Sequence, residues 1–191
     1  HNLQVVVSSL RRVLEPDAPR GASSLLVREG DAYRLALPAG AEVDVIAFEA
    51  AAADARAARS RGDRSGADAA LDRAQRAYTG DLLPEDGPAE WAVKERERLR
   101  LVAAEVAQTR AELALESDDT ETAAAACEWG LAVDRYHDPL WRLLAEARER
   151  SGDHAAAHRA RRAYDDTLAE LGLPAQGDHL TSADITAGRT R

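Results

Sequence analysis

A chain of 191 residues that is 45% hydrophobic but only 4% aromatic, with no methionine, rests its core on Ala, Leu and Val, which suit closely packed helices better than sheets. A formal charge of −9 with a pI near 5.1 repels a phosphate backbone on average, which excludes most of the surface as a nucleic-acid groove. One cysteine, Cys127, excludes an intrachain disulfide framework, and no apolar run reaches the roughly 20 residues of a bilayer span, so a cytoplasmic protein without membrane insertion is expected.

The charge is unevenly spread. Residues 1–42 carry five arginines (11, 12, 20, 28 and 34) against five acids (15, 17, 29, 31 and 42), which leaves the whole −9 in residues 43–191. The first residues lack the charge order and cleavage site of a signal peptide. Residues 2–15 read instead as a helix, with Leu3, Val7, Leu10 and Leu14 on one face, Asn2 as a cap and Pro16 just beyond the end. Its other face presents Val5, Ser8, Ser9 and Arg12. The loop PDAPRGAS follows, and then SLLVR, EGD and AYRLAL alternate as a strand, a tight turn and a second strand.

From Asp44, a plausible N-cap, the period becomes helical. Val45, Phe48, Ala52 and Ala55 share one stripe to about Arg61, Gly62-Asp63 breaks it, and a second helix turns Ala67, Ala70, Leu71, Ala74 and Tyr78 inward. The same punctuation returns twice. Asp119 precedes Ala123 by four residues, Asp153 precedes Ala157 by four, and Asp63 precedes Ala67 by four. From 119 to 153 is 34 residues, the tetratricopeptide period; from 63 to 119 is 56, which is that period plus 22. The helix near 89–116 explains the extra length, with Trp91, Leu99, Val102, Val106 and Leu113 on one side and Ala103, Ala107, Ala111 and Ala114 on another. Two apolar faces suit a helix sandwiched between neighbours. After the SDD turn, a later helix starts at HDPLW with Asp138 as N-cap and Pro139 at the first position. The composition turns polar from about Pro174, so residues 175–191 are expected to be a loose tail.

Several segments taken together resemble a known arrangement: LQVVVSSLRRVL, LLVREGDAYRL and VDVIAF, then Gly80-Asp81-Leu82-Leu83-Pro84, the string Trp91, Glu95, Arg96, Arg98, Leu99, the Asp138-Pro139-Leu140 turn and the Leu171-Gly172-Leu173-Pro174 ending. This order resembles the end of an OmpR-type winged helix running into a bacterial transcriptional activator domain, as in the Streptomyces antibiotic regulatory protein (SARP) family and related AfsR-like and EmbR-like regulators. The resemblance implies a DNA-binding transcriptional activator. Residues 2–15 would be its recognition helix and 25–37 its wing, within a DNA-binding part at 1–42, and 43–174 would be the activator domain. The implied DNA-facing residues are Gln4, Ser8, Ser9, Arg11 and Arg12, with Arg28 and Arg34 near the wing. Ser9 stands where the family often has arginine, and Ala32 where a wing glycine is common. A complete winged helix also needs the sheet and two helices that precede its recognition helix, so this chain is expected to carry only the last piece of that domain and to lack proper DNA affinity by itself.

The fold expected is therefore mainly α: a tetratricopeptide-like, right-handed stack of antiparallel helix pairs behind the helix and β-hairpin of a winged helix. Its partners would be promoter DNA through the complete protein, and RNA polymerase or a second copy through the repeats. Trp91, Trp129 and Trp141, with Tyr78, Tyr136 and Tyr164, are either partner anchors or fillers of the helical joints. His154 and His158 have a spacing that can hold zinc, but no Glu follows His154 and exposed histidines are the reading adopted, with no metal or cofactor. Cys127 falls on an alanine-rich face as a small buried thiol. The acidic runs 116–121 and 165–170 mark solvated helix ends, and Arg159, Arg161 and Arg162 pair with nearby acids. No GxxxxGK[ST], GxSxG or HExxH motif occurs, and nothing announces an enzyme. A stand-alone tetratricopeptide scaffold would share the helices but leave the N-terminal helix and hairpin unexplained.

Overall fold

The computed structural model describes residues 2–19 and 23–175. The capping role of Asn2 and the tail from residue 176 onward lie outside the described side chains and residues. Two compact units divide between Val43 and Asp44.

The first unit consists of helix α1 (Asn2–Leu14) and the antiparallel strands β1 (Leu26–Glu29) and β2 (Ala32–Leu35). Register runs from Leu26↔Leu35 to Glu29↔Ala32, so the loop is the two residues Gly30-Asp31. Gly30 takes φ +62°, which a side chain would resist. The strands are shorter than their sequence suggests, although Ala36 N donates to Leu25 O at 2.6 Å and extends the pairing by one rung. The expected inward face of α1 is covered only at Val7; Leu3, Leu10 and Leu14 stay exposed. A hairpin of four residues per strand is too small to cover four turns of helix.

Among the described residues, the second unit is a run of six α-helices: α2 (Asp44–Ser60), α3 (Arg64–Ala77), α4 (Glu90–Glu116), α5 (Thr120–Val133), α6 (Asp138–Arg150) and α7 (His154–Glu170), with one 3-10 turn at Pro84–Asp86. Consecutive helices pack against one another, and α4 also touches α6. The three short turns share one design. Gly62, Asp118 and Gly152 take φ of 72°, 60° and 80°, and the next N–H, of Asp63, Asp119 and Asp153, reaches back to the carbonyl five residues earlier, at 2.9 Å each time. Each aspartate then caps the following helix, accepting from Gly66 N, Thr122 N and Ala156 N at 2.8, 3.0 and 2.9 Å. Ala67, Ala123 and Ala157, four residues after each cap, have no exposed surface. The repeat inferred from these alanines is thus a repeat of structure.

The 22 extra residues divide between two places. Twelve residues connect α3 to α4 where four connect α5 to α6, and α4 has 27 residues where α6 has 13. Part of the insertion is therefore loop, not helix alone as the apolar pattern suggested. The two-faced reading of α4 is correct: Leu99, Ala103, Val106 and Leu113 pack with α2 and α3, and Ala107, Ala111, Ala114 and Leu115 with α5 and α6. Ala103 sides with the first set, and Trp91 leaves the core, 68% exposed. The α6 start also differs. His137 occupies the cap position without a side-chain capping bond, its Nε2 lying 2.9 Å from Gln108 Oε1 instead, and Asp138, one residue inside the helix, pairs with Arg142 at 2.9 Å.

Candidate DNA-facing and partner-facing surfaces

In the N-terminal unit, a 3.6-residue period sets Gln4, Ser8 and Arg12 along one line of α1. All three are exposed, as is Ser9; Ser8 Oγ donates to Gln4 O at 2.8 Å, and Arg12 has no partner among the described residues. Arg11 differs from its neighbour. Its Nε and Nη2 both donate to Leu26 O, at 3.2 and 2.8 Å, and its guanidinium lies 5.7 Å from the centre of the Tyr33 ring. The hairpin arginines are exposed and paired within the hairpin: Arg28 Nε donates to Gly30 O at 2.8 Å, and Arg34 grips Glu29 at 2.8 Å. Exposed pairs of this kind contribute little, so they can be exchanged for phosphate at small cost.

Sequence reasoning gave no role to Glu15. Its carboxylate accepts four hydrogen bonds, from Ser23 Oγ (2.5 Å), Ser24 Oγ (2.6 Å), Ser24 N (3.0 Å) and Leu25 N (3.1 Å). These donors, the Ser23 hydroxyl foremost, hold its pKa down at about 2. No sequence motif marks such a residue; the one hint is an acid at a helix C-terminus, the end that disfavours negative charge.

In the helical unit, the tryptophans separate. Trp129 is half-buried and meets Tyr78 edge-on at 6.0 Å, while Tyr78 meets Phe48 at 5.2 Å, so three rings bridge α2, the end of α3 and α5. Trp141 stacks on Tyr164 at 6.3 Å and donates Nε1–H to Arg135 O at 2.8 Å. Trp91 makes no ring contact among the described residues and stands in solvent.

The resemblance motifs acquire physical roles here. Arg96 donates to three backbone carbonyls, those of Leu82, Leu83 and Gly87, and Arg100 clasps Asp81 with two nitrogens. Together they pin the inserted loop, in which Leu83 adopts φ 48°. Asp81 is held below the usual carboxylate range, first by that Arg100 bond. The C-terminal carbonyls of α4 are capped from two sides: Arg64 donates to Leu113 O and Arg150 to Leu115 O, where cations also suit the dipole.

The remaining candidates are soon placed. Cys127 is fully buried, and desolvation pushes its thiol up to about 12. His154 and His158 are exposed, and no group of three metal-ligating side chains occurs among the described residues. Arg161 pairs with Glu149 at 2.8 Å. The run 165–170 lies in the last turns of α7 and is not uniformly solvated: Thr167 and Leu168 are buried, while Glu170 pairs with Arg135 at 3.0 Å. No described helix is long and apolar enough to cross a membrane.

None of the curated proteins matches this chain. The solved structure of Mycobacterium tuberculosis EmbR in complex with a low affinity phosphopeptide is similar, with a TM-score of 0.71 at 23% identity, covering 92% of this chain and 46% of that one. This chain thus spans less than half the length of the EmbR chain, and at such identity the likeness is one of fold. Residues 43–183, most of the sequence, match the model of the bacterial transcriptional activator domain, and the chain belongs to that family of transcription regulators.

Proposed function

We propose that this chain is the helical-repeat part, with the last piece of a winged helix, of a cytoplasmic SARP-type transcription activator. In this reading, residues 1–42 close the DNA-binding domain and 43–174 form the activator domain. The observation that carries it is the exposed line of Gln4, Ser8 and Arg12 on α1, with Ser9 beside it, while the hairpin is fastened along a different line of the helix. That is the arrangement a recognition helix and its wing require: one face free to contact DNA, another held to a strand pair that reaches the backbone. Arg28 and Arg34 supply the wing's exchangeable charge.

The repeats would engage RNA polymerase or a second copy of the protein. Trp91 is the anchor the structure favours, because its ring is 68% exposed, whereas Trp129 and Trp141 fill joints between helices. A mobility assay across salt, comparing this chain with an upstream-extended protein, tests the DNA reading. Sequence-specific binding is expected from the extended protein, with affinity falling as salt rises. Equal specific binding by both would overturn the view that the chain holds an incomplete reader, and no specific binding by either would overturn the DNA reading itself.

A further inference from the structure

The last turn of α1 and the residue after it hold an arginine and a glutamate that reach the hairpin and the chain entering it. Glu15 N donates to Arg11 O at 2.9 Å, so Glu15 continues the helical turn and sits where the helix dipole opposes a carboxylate. Four donors from residues 23–25 offset that, and they tie the chain entering β1 to the end of the helix. Arg11 adds a contact to each strand, a forked bond to Leu26 O on β1 and a cation–π contact with Tyr33 on β2. Two guanidinium N–H donors in fixed geometry and a cation–π contact are used here together, and lysine lacks the fixed pair of donors.

We propose that Arg11 and Glu15 are positioning residues: they fasten the hairpin to α1 and so set the angle between recognition helix and wing, leaving direct DNA contact on the helix to Gln4, Ser8, Ser9 and Arg12. This rests on the DNA-binding reading for its consequence, but the fastening itself can be tested without DNA. Arg11 thereby leaves the set of DNA contacts that the family resemblance implied, and adjacent arginines acquire different duties.

Two measurements decide it. Amide hydrogen exchange on the 191-residue chain should show protected amides between Leu25 and Ala36, exchanging at least about tenfold faster in Glu15→Ala and Arg11→Lys and unchanged in Arg12→Ala. Unprotected hairpin amides in the unmodified chain, or full protection in Arg11→Lys, would overturn the fastening. In the upstream-extended protein, the salt dependence of DNA affinity separates the arginines. Arg11→Ala and Arg11→Lys should weaken binding with the slope of log K against log salt intact, and Arg12→Ala should reduce that slope by about 0.9, one phosphate contact. A slope reduced in Arg11→Ala and retained in Arg11→Lys would make Arg11 a phosphate contact and contradict the proposal. Absence of DNA binding by the unmodified extended protein would sink the DNA reading alone, since the exchange data would still judge the fastening.

Discussion

Within the helical unit, alanines and leucines from neighbouring helices fill two continuous apolar clusters, and polar side chains mark its ends and turns. In the N-terminal unit the proportions reverse: among its described residues only Val7 is buried, and the hairpin is held to α1 by Arg11 and Glu15. One unit is stabilised mainly by close approach of backbones over small side chains, which is sensitive to volume. The other is fastened by a few directional bonds, which are sensitive to charge and chemistry. The difference suits their duties. In the function proposed above, a partner surface calls for a closely packed scaffold, while a helix set in a groove beside a wing calls for a fixed angle between the two.

The comparison breaks most visibly if volume is changed in the stack. Leu71, 1% exposed, should cost about 2–5 kcal/mol when replaced by alanine, read as a lower urea midpoint. Next comes Gly130, where α5 approaches α4 and α6 so closely that a Cβ would lie 2.5 Å from Ala107 Cβ and 2.6 Å from Leu140 Cδ1. Gly130→Ala should destabilise by about 1–3 kcal/mol through overpacking, although alanine is the better helix former by about 1 kcal/mol. A net stabilisation would show that the joint is looser than described. Removing one cap, as in Asp63→Ala, Asp119→Ala or Asp153→Ala, should cost about 1 kcal/mol each by thermal unfolding. Three unequal costs would show that the turns share geometry without sharing energetics.

The smallest effect sharpens the other side. Glu15 has its folded pKa lowered from 4.5 to about 2, so the ionised form is the one the fold favours. Its contribution is fully present above 4.5 and is lost as pH falls through 2. Hairpin protection, corrected for the intrinsic pH dependence of exchange, should therefore hold down to about pH 5 and decline below it. In Glu15→Gln the decline over that window should shrink to the part contributed by Glu29, which Arg34 also holds below its ordinary value.

Much of the stack could be read from sequence because its rule is local and repeated. A turn residue, an aspartate cap and an alanine four residues on recur at 63, 119 and 153, and the two-faced pattern of α4 told of neighbours on both sides. Less legible were features in which polar groups meet across long separations. Arg96 serving three loop carbonyls, or Arg64 and Arg150 capping one helix end, leave no periodic trace, since any exposed arginine has the same letter. Arg11 shows the limit most directly. The family resemblance set it beside Arg12 among the DNA-facing residues, but a side chain this long can turn back to a strand fifteen residues away. Trp91 errs in the opposite sense: it fits the apolar stripe of α4 yet is 68% exposed, although Ala92 beside it is buried.

All three tryptophans, 91, 129 and 141, belong to the helical unit, so their fluorescence follows its unfolding and not that of the hairpin. Urea titrations of the unmodified chain, Gly130→Ala and Glu15→Ala, monitored by this emission, should give a lowered midpoint for Gly130→Ala and an unshifted one for Glu15→Ala. An equal fall in both would contradict the claim that volume governs one unit and a polar clasp the other.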